Sequence, residues 1–125
     1  MKRIAFGFAA VLLSISAASA MDPAKTMDTS AGKVWADDKG MTRYIFDKDS
    51  TNKSNCYDQC AKNWPPLMAA ADAMASGDWT IVKRDDGTMM WAYDGHPLYT
   101  FVKDTKPGDV TGEGVGGVWH TAKAD

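Results

Sequence analysis

The residues able to do chemistry are few, and their spacing limits what that chemistry can be. Cys56 and Cys60 stand four apart in NCYDQCAKNWPPL and are the only cysteines. On a helix, residues i and i+4 share a face with Cα atoms roughly 6 Å apart, within disulfide reach. A thiol–disulfide catalyst would more typically carry Cys-x-x-Cys at a helix start after a strand. The expected state is therefore a structural disulfide, with a redox-active pair and a pair of metal ligands as the competing readings. Its chain-entropy contribution is small, about 2 kcal/mol for so short a loop. His96 and His120 are the only histidines. With Met41, Met89 and Met90 in or beside the expected strands they are the candidates for a copper site, because imidazole and thioether suit Cu(II) and Cu(I). No His-x-His or Met-x-x-Met cluster gathers them locally, so only the fold can bring them together.

Two further stretches imitate known sites. DKDSTNKSNCYD, residues 47–58, places Asp47, Asp49, Thr51 and Asp58 at ligand positions of a calcium loop. It has Asn52 where the sharp-turn glycine belongs, and a short Asp where a bidentate Glu closes such loops. It reads as a solvated acidic loop. GEGVGG, residues 112–117, satisfies G-x-G-x-x-G, yet only eight residues follow it, too few for a βαβ unit. Those glycines are expected to permit an unusual turn before a last strand near 118–122. No nucleophile elbow, zinc-protease motif or paired glutamate is present, and Glu113 is the sole glutamate. Hydrolytic chemistry has no support in this chain, and an enzyme is the less favoured class.

The elements that must position these groups begin after residue 20. Lys2 and Arg3, the apolar run Ile4 to Ile15 and Ala18-Ser19-Ala20 have the three-part order of a secretory signal peptide. That apolar run is shorter than the ~20 residues of a membrane span, and nothing later is apolar enough to be one. We expect cleavage after Ala20, a mature chain of residues 21–125, and a periplasmic or secreted location. Of the 14 basic residues two lie in the signal, leaving 12 against 16 acidic and a mature formal charge of −4. A mildly acidic chain without a basic run argues against nucleic acid as partner.

The mature chain reads as mainly β. Asp86-Gly87 and Asp94-Gly95 divide strand-like runs near 79–84, 88–93 and 97–103, and Asp-Gly is a strong hairpin signal because a type I′ turn needs positive φ at both central residues. Strands near 33–37 and 43–47, with an extra one near 24–28, give a fainter copy of the same plan. Residues 56–75, rich in Ala and Met from Leu67 on, are expected to form a short helical insert of two turns, the first stopped by Pro65-Pro66.

The plan is duplicated. At an offset of 55, Tyr44 aligns with Tyr99, Phe46 with Phe101, Asp49 with Asp104 and Trp64 with Trp119, and one residue of slippage brings Trp35-Ala36 onto Trp91-Ala92. The expected architecture is one domain of two tandem β-meander repeats, about 24–66 and 79–121, packed as a small sandwich or barrel. On a strand, Tyr44 and Phe46, like Tyr99 and Phe101, point to one side. Each Asp lies just past its strand, placed to accept backbone N–H groups. The plain reading is core and turn. The sharper one is a ligand cleft or partner surface made of Tyr44, Asp49, Trp64, Pro65, Tyr99, Asp104 and Trp119.

Two copies of Tyr-x-Phe-x-x-Asp, with CYDQCAKNWPPL after the first and GVGGVWH after the second, resemble the secreted-repeat family with a Tyr-x4-Asp motif, often described as predicted lipoproteins of unknown function. The resemblance covers nearly all of the mature chain. The signal ends SAASAM, without a cysteine to carry lipid, so no lipid anchor is expected. The leading functional expectation is an exported, non-enzymatic binding or envelope-associated module, whose partner is a protein or small ligand of the cell envelope. The alternative is a periplasmic redox or copper-type metal-handling protein.

Overall fold

The structure is a computed structural model and describes residues 23–124; the expected signal peptide lies outside the described residues. Among the described residues seven strands, one short α-helix and one 3-10 turn follow in order: β1 (Lys25–Thr29), β2 (Gly32–Ala36), β3 (Tyr44–Phe46), α1 (Gln59–Asn63), β4 (Trp79–Lys83), β5 (Met89–Tyr93), β6 (His96–Pro97), the 3-10 turn Val115–Gly117 and β7 (Trp119–Thr121). They form three small antiparallel sheets, β1-β2, β3-β7 and β4-β5-β6. The fold is mainly β, and the described residues close no barrel.

Each repeat starts with a hairpin, β1-β2 or β4-β5, and then exchanges strands with the other. The strand β3 pairs with β7 of the second repeat, Tyr44 opposite Thr121 and Phe46 opposite Trp119. The symmetric pairing sets Pro66 opposite Tyr99. β2 pairs with the end of repeat two, Val34 opposite Lys123, and β5 pairs with the end of repeat one, Met90 opposite Met68. At the centre Tyr44 and Tyr99 bond each other's backbone in both directions, at 2.7 and 2.9 Å. A pseudo-twofold axis passes between them, since the 55-residue offset maps each onto the other.

The turns divide by geometry. Asp94 and Gly95 both have positive φ, 51° and 83°, as a type I′ turn requires. At Asp86-Gly87 only Gly87 does, at 89°. That turn is one residue wider, closed by Arg84 N–H to Thr88 O and Gly87 N–H to Arg84 O, so the left-handed residue is the bulge glycine alone.

Two expectations need correction. The third strand of the second meander is two residues long rather than reaching 103. Leu98 N–H still reaches Trp91 O, but from Tyr99 the chain changes partner: Tyr99 bonds Tyr44, Thr100 N–H bonds Pro65 O and Val102 N–H bonds Asn63 O. Only one helical turn forms in the insert, α1. Leu67 and Ala69 instead bond Leu98, Trp91 and Met89 across the sheet. Long-range pairing outweighs the high helical propensity of Ala and Met there.

Candidate functional site

The repeated motif is a clasp across the axis. Tyr44 Oη donates to Asp104 Oδ2 and Tyr99 Oη to Asp49 Oδ2, each at 2.7 Å. Every tyrosine thus bonds the aspartate of the opposite repeat. The other carboxylate oxygen holds the following loop: Asp49 accepts Asn55 N–H at 2.7 Å, and Asp104 accepts Thr111 N–H at 3.0 Å. Burial and the carboxylate partner push both phenols far above their ordinary range. Desolvation also raises the Asp49 carboxyl, against the hydrogen bonds from Tyr99 and Asn55.

Between the clasps lies a column of four rings. Trp64 and Trp119 stack at 3.8 Å with 3° between planes. Phe101 stacks on Trp64 at 4.0 Å and Phe46 on Trp119 at 4.2 Å. The tyrosines meet the indoles edge-on, Tyr44 on Trp64 and Tyr99 on Trp119. Gly112 lies against the column: a Cβ there would meet Trp64 Cη2 at 2.8 Å and Tyr44 Cε2 at 2.9 Å. Of the seven residues in the sharper reading, Tyr44, Trp64, Tyr99, Asp104 and Trp119 are buried. Asp49 and Pro65 are half-buried. The rings face one another along this seam, and Pro65 O accepts Thr100 N–H.

Cys56 and Cys60 form a disulfide beside the column, with Cys56 fully buried. Below it sits a network that no sequence motif announced. Arg84 is buried and donates to Ser54 Oγ and to Cys56 O, both at 2.8 Å, and its guanidinium lies 4.2 Å from the Tyr57 ring centroid. Ser54 Oγ in turn lies 2.6 Å from Tyr99 Oη. The guanidinium therefore braces the disulfide loop against the Tyr99–Asp49 clasp. In the sequence Arg84 stands before Asp85-Asp86-Gly87, where it reads as one more charge on a solvated turn.

An open site lies mainly in the second repeat, with Ile45 added from the first. A cleft of about 210 Å³ has a floor of Ile45, Leu98, Thr121 and Ala122. Its rim is made of Tyr93, Asp94, His96 and Lys123. By the repeat offset Leu98 corresponds to Arg43, and Tyr93, one residue of slippage included, to Asp37. In the first repeat those two positions hold a buried arginine and an aspartate, 3.8 Å apart. The scaffold is duplicated, but the cleft chemistry belongs to one copy.

Glu113 buttresses that cleft. Its Oε1 accepts both Thr121 N–H and Thr121 Oγ1–H at 2.9 Å and lies 3.9 Å from Lys123 Nζ. Its Oε2 lies 3.2 Å from His120 Nδ1, while His120 Nε2 lies 2.8 Å from Asp47 Oδ2. Gly114, Gly116 and Gly117, with φ of 82°, 63° and 73°, turn the loop so that this carboxylate returns to β7. Burial pushes the Glu113 carboxyl up, but the Thr121 and His120 hydrogen bonds outweigh it and hold it below its usual range. The bond to Asp47 raises the His120 imidazole, assisted by Glu113 and opposed by desolvation.

A raised folded-state value means that the charged ring stabilises fully below about pH 6.5, and that this contribution disappears as pH rises through the folded-state value. Urea midpoints of the mature chain are expected to fall between about pH 6 and 8 more steeply in the parent than in His120→Gln. Equal slopes would disprove the coupling.

The two histidines are not brought to one point: His96 rims the cleft, and the carboxylates beside His120 sit on opposite ring nitrogens. Among the described residues no group of three or more His, Cys, Asp or Glu side chains is set to hold a metal ion. None of the described helices is long and apolar enough to cross a membrane.

A family profile described as a secreted repeat of unknown function matches residues 25–68 and again 80–123. The chain belongs to this secreted-repeat family. The two matches coincide with the two halves related by the pseudo-twofold axis, so the repeat is the unit that the tyrosine–aspartate clasp joins. No curated protein and no solved structure matches the chain.

Proposed function

We propose that this member of the secreted-repeat family is an exported, non-enzymatic binding module that takes a small amphipathic ligand in the cleft bordered by Tyr93, Asp94, His96 and Lys123. The observation that carries the reading is the cleft itself: apolar floor, few polar groups at the mouth, and no counterpart chemistry in the other repeat. Ligand sites have this composition, and 210 Å³ lies below the ~300–1,000 Å³ usual for drug-sized occupants, so the ligand is small. The clasp, the ring column and the Cys56–Cys60 disulfide serve in this reading as the rigid frame. Function then resides in loops of one copy, and the expected setting is the periplasm or the extracellular medium.

The test is a heteronuclear NMR screen of the mature chain, purified without chelators, against small amphipathic probes. Shifts are expected to gather at Ile45, Leu98, Ala122 and Lys123. Probes that perturb only the segments around Trp64 and Cys56 would move the site to the seam and sink the cleft reading. Native mass spectrometry of the same sample checks the alternative class, since a retained copper or zinc mass would favour metal handling.

A further inference from the structure

We infer that the cleft selects a small zwitterion with a short aliphatic body, of the kind a free aliphatic α-amino acid presents. This rests on the cleft being a ligand site and goes further by naming what the mouth recognises. The floor is largely aliphatic: Leu98 and Ala122 are buried and Ile45 half-buried, while the Thr121 hydroxyl is already engaged by Glu113 and Lys123, so the occupant's body is apolar. The rim carries one charge of each sign.

Lys123 supplies the positive end and is already fixed. Its Nζ donates to Ala31 O and to Thr121 Oγ1, both at 2.7 Å. An ammonium has three donors, so one N–H remains for an incoming carboxylate. Holding the head in place beforehand removes much of the ordering cost that a free lysine would charge to binding. Glu113 stands 3.9 Å away on the protein side, which keeps the ammonium at the mouth.

Asp94 supplies the negative end. Its backbone is held by Asp94 N–H to Asp78 O, and the turn it begins is braced by Asn52 N–H to Gly95 O, each at 2.8 Å. The exposed side chain has no hydrogen bond or ion pair among the described residues. Tyr93 and His96, on either side of that turn, line the same cleft. A ligand with one charge would satisfy one end and strip water from the other. A ligand with both charges satisfies the two together, and the small volume limits its aliphatic body to amino-acid scale.

The experiment is methyl and amide NMR titration of the mature chain with leucine, 3-methylbutylamine, 4-methylpentanoate and 3-methyl-1-butanol. These carry both charges, ammonium only, carboxylate only, and neither. Leucine is expected to shift Ile45 and Ala122 and to bind about tenfold or more tightly than either half, the value of one charge-assisted hydrogen bond. Asp94→Asn should remove the advantage of leucine over 4-methylpentanoate, and Lys123→Gln its advantage over 3-methylbutylamine. If a half-ligand or the neutral alcohol binds the cleft as well as leucine, the zwitterion assignment falls while the binding reading stands. If none of the four moves the cleft signals, both fall.

Discussion

Replacing Trp64 or Trp119 by alanine is expected to lower the unfolding free energy by about 3–5 kcal/mol, a large share of what a small domain possesses. Each indole is sandwiched: Trp64 between Trp119 and Phe101, Trp119 between Trp64 and Phe46. Removing either leaves a ring-sized gap at the axis, edged by the tyrosine that also carries a clasp. The gap cannot close easily, because both tyrosines are held by backbone bonds to each other and by hydroxyl bonds to the opposite aspartates. The pseudo-twofold arrangement predicts nearly equal losses for the two variants. It also predicts that the double variant loses clearly less than their sum, since the first deletion already opens the column for the second. Urea titrations followed by circular dichroism measure this without relying on the tryptophans as probes. A loss below about 1 kcal/mol, or strict additivity, would show that the column is not the centre of the fold.

How far the sequence carries the reader differs by feature. The period of 55, the repeated Tyr-x-Phe-x-x-Asp, the disulfide spacing and the Asp94-Gly95 hairpin are local patterns, and each has its structural counterpart. What spacing cannot show is which copy a motif residue answers to. Tyr44 and Asp49 stand together in the chain, yet Tyr44 bonds Asp104, because strand exchange places the opposite loop over each phenol. The same exchange draws Leu67 and Ala69 into a sheet where Ala-Met composition suggests helix. The cleft is illegible for a related reason: Ile45, Asp94, Leu98 and Lys123 come from separate segments and share no motif. Arg84 is hidden differently. Its burial depends on Ser54 and Cys56 O arriving from the other half, and nothing in KRDDG says that they do.

Fragments 21–78 and 79–125 are expected to be unfolded when produced separately and to reconstitute one folded domain when mixed. The cut follows the exposed run 74–78, just before buried Trp79, and parts the turn in which Ser76 and Trp79 bond each other. Each half lacks the partners for its own strands. In the first fragment Trp35 N–H has lost Ala122 O, Arg43 O has lost Ala122 N–H, and β3 has lost β7. In the second, Trp91 N–H and Leu98 O have lost Leu67, and both clasps and the Trp64–Trp119 stack are halved in each piece. A chain of such length is marginal on its own burial, and each half here also lacks the strands its own edges pair with. Cys56 and Cys60 lie in one fragment, so the disulfide neither joins the pieces nor rescues the second. The mixture should recover dispersed NMR signals at one-to-one stoichiometry, with a melting temperature that rises with concentration because folding has become association. A monomeric fragment with dispersed signals on its own would refute the exchange as the source of stability. A fragment that folds only as a homodimer, seen by analytical ultracentrifugation, would instead extend it: one repeat would be supplying both sides of its own seam, as the pseudo-twofold axis between Tyr44 and Tyr99 allows.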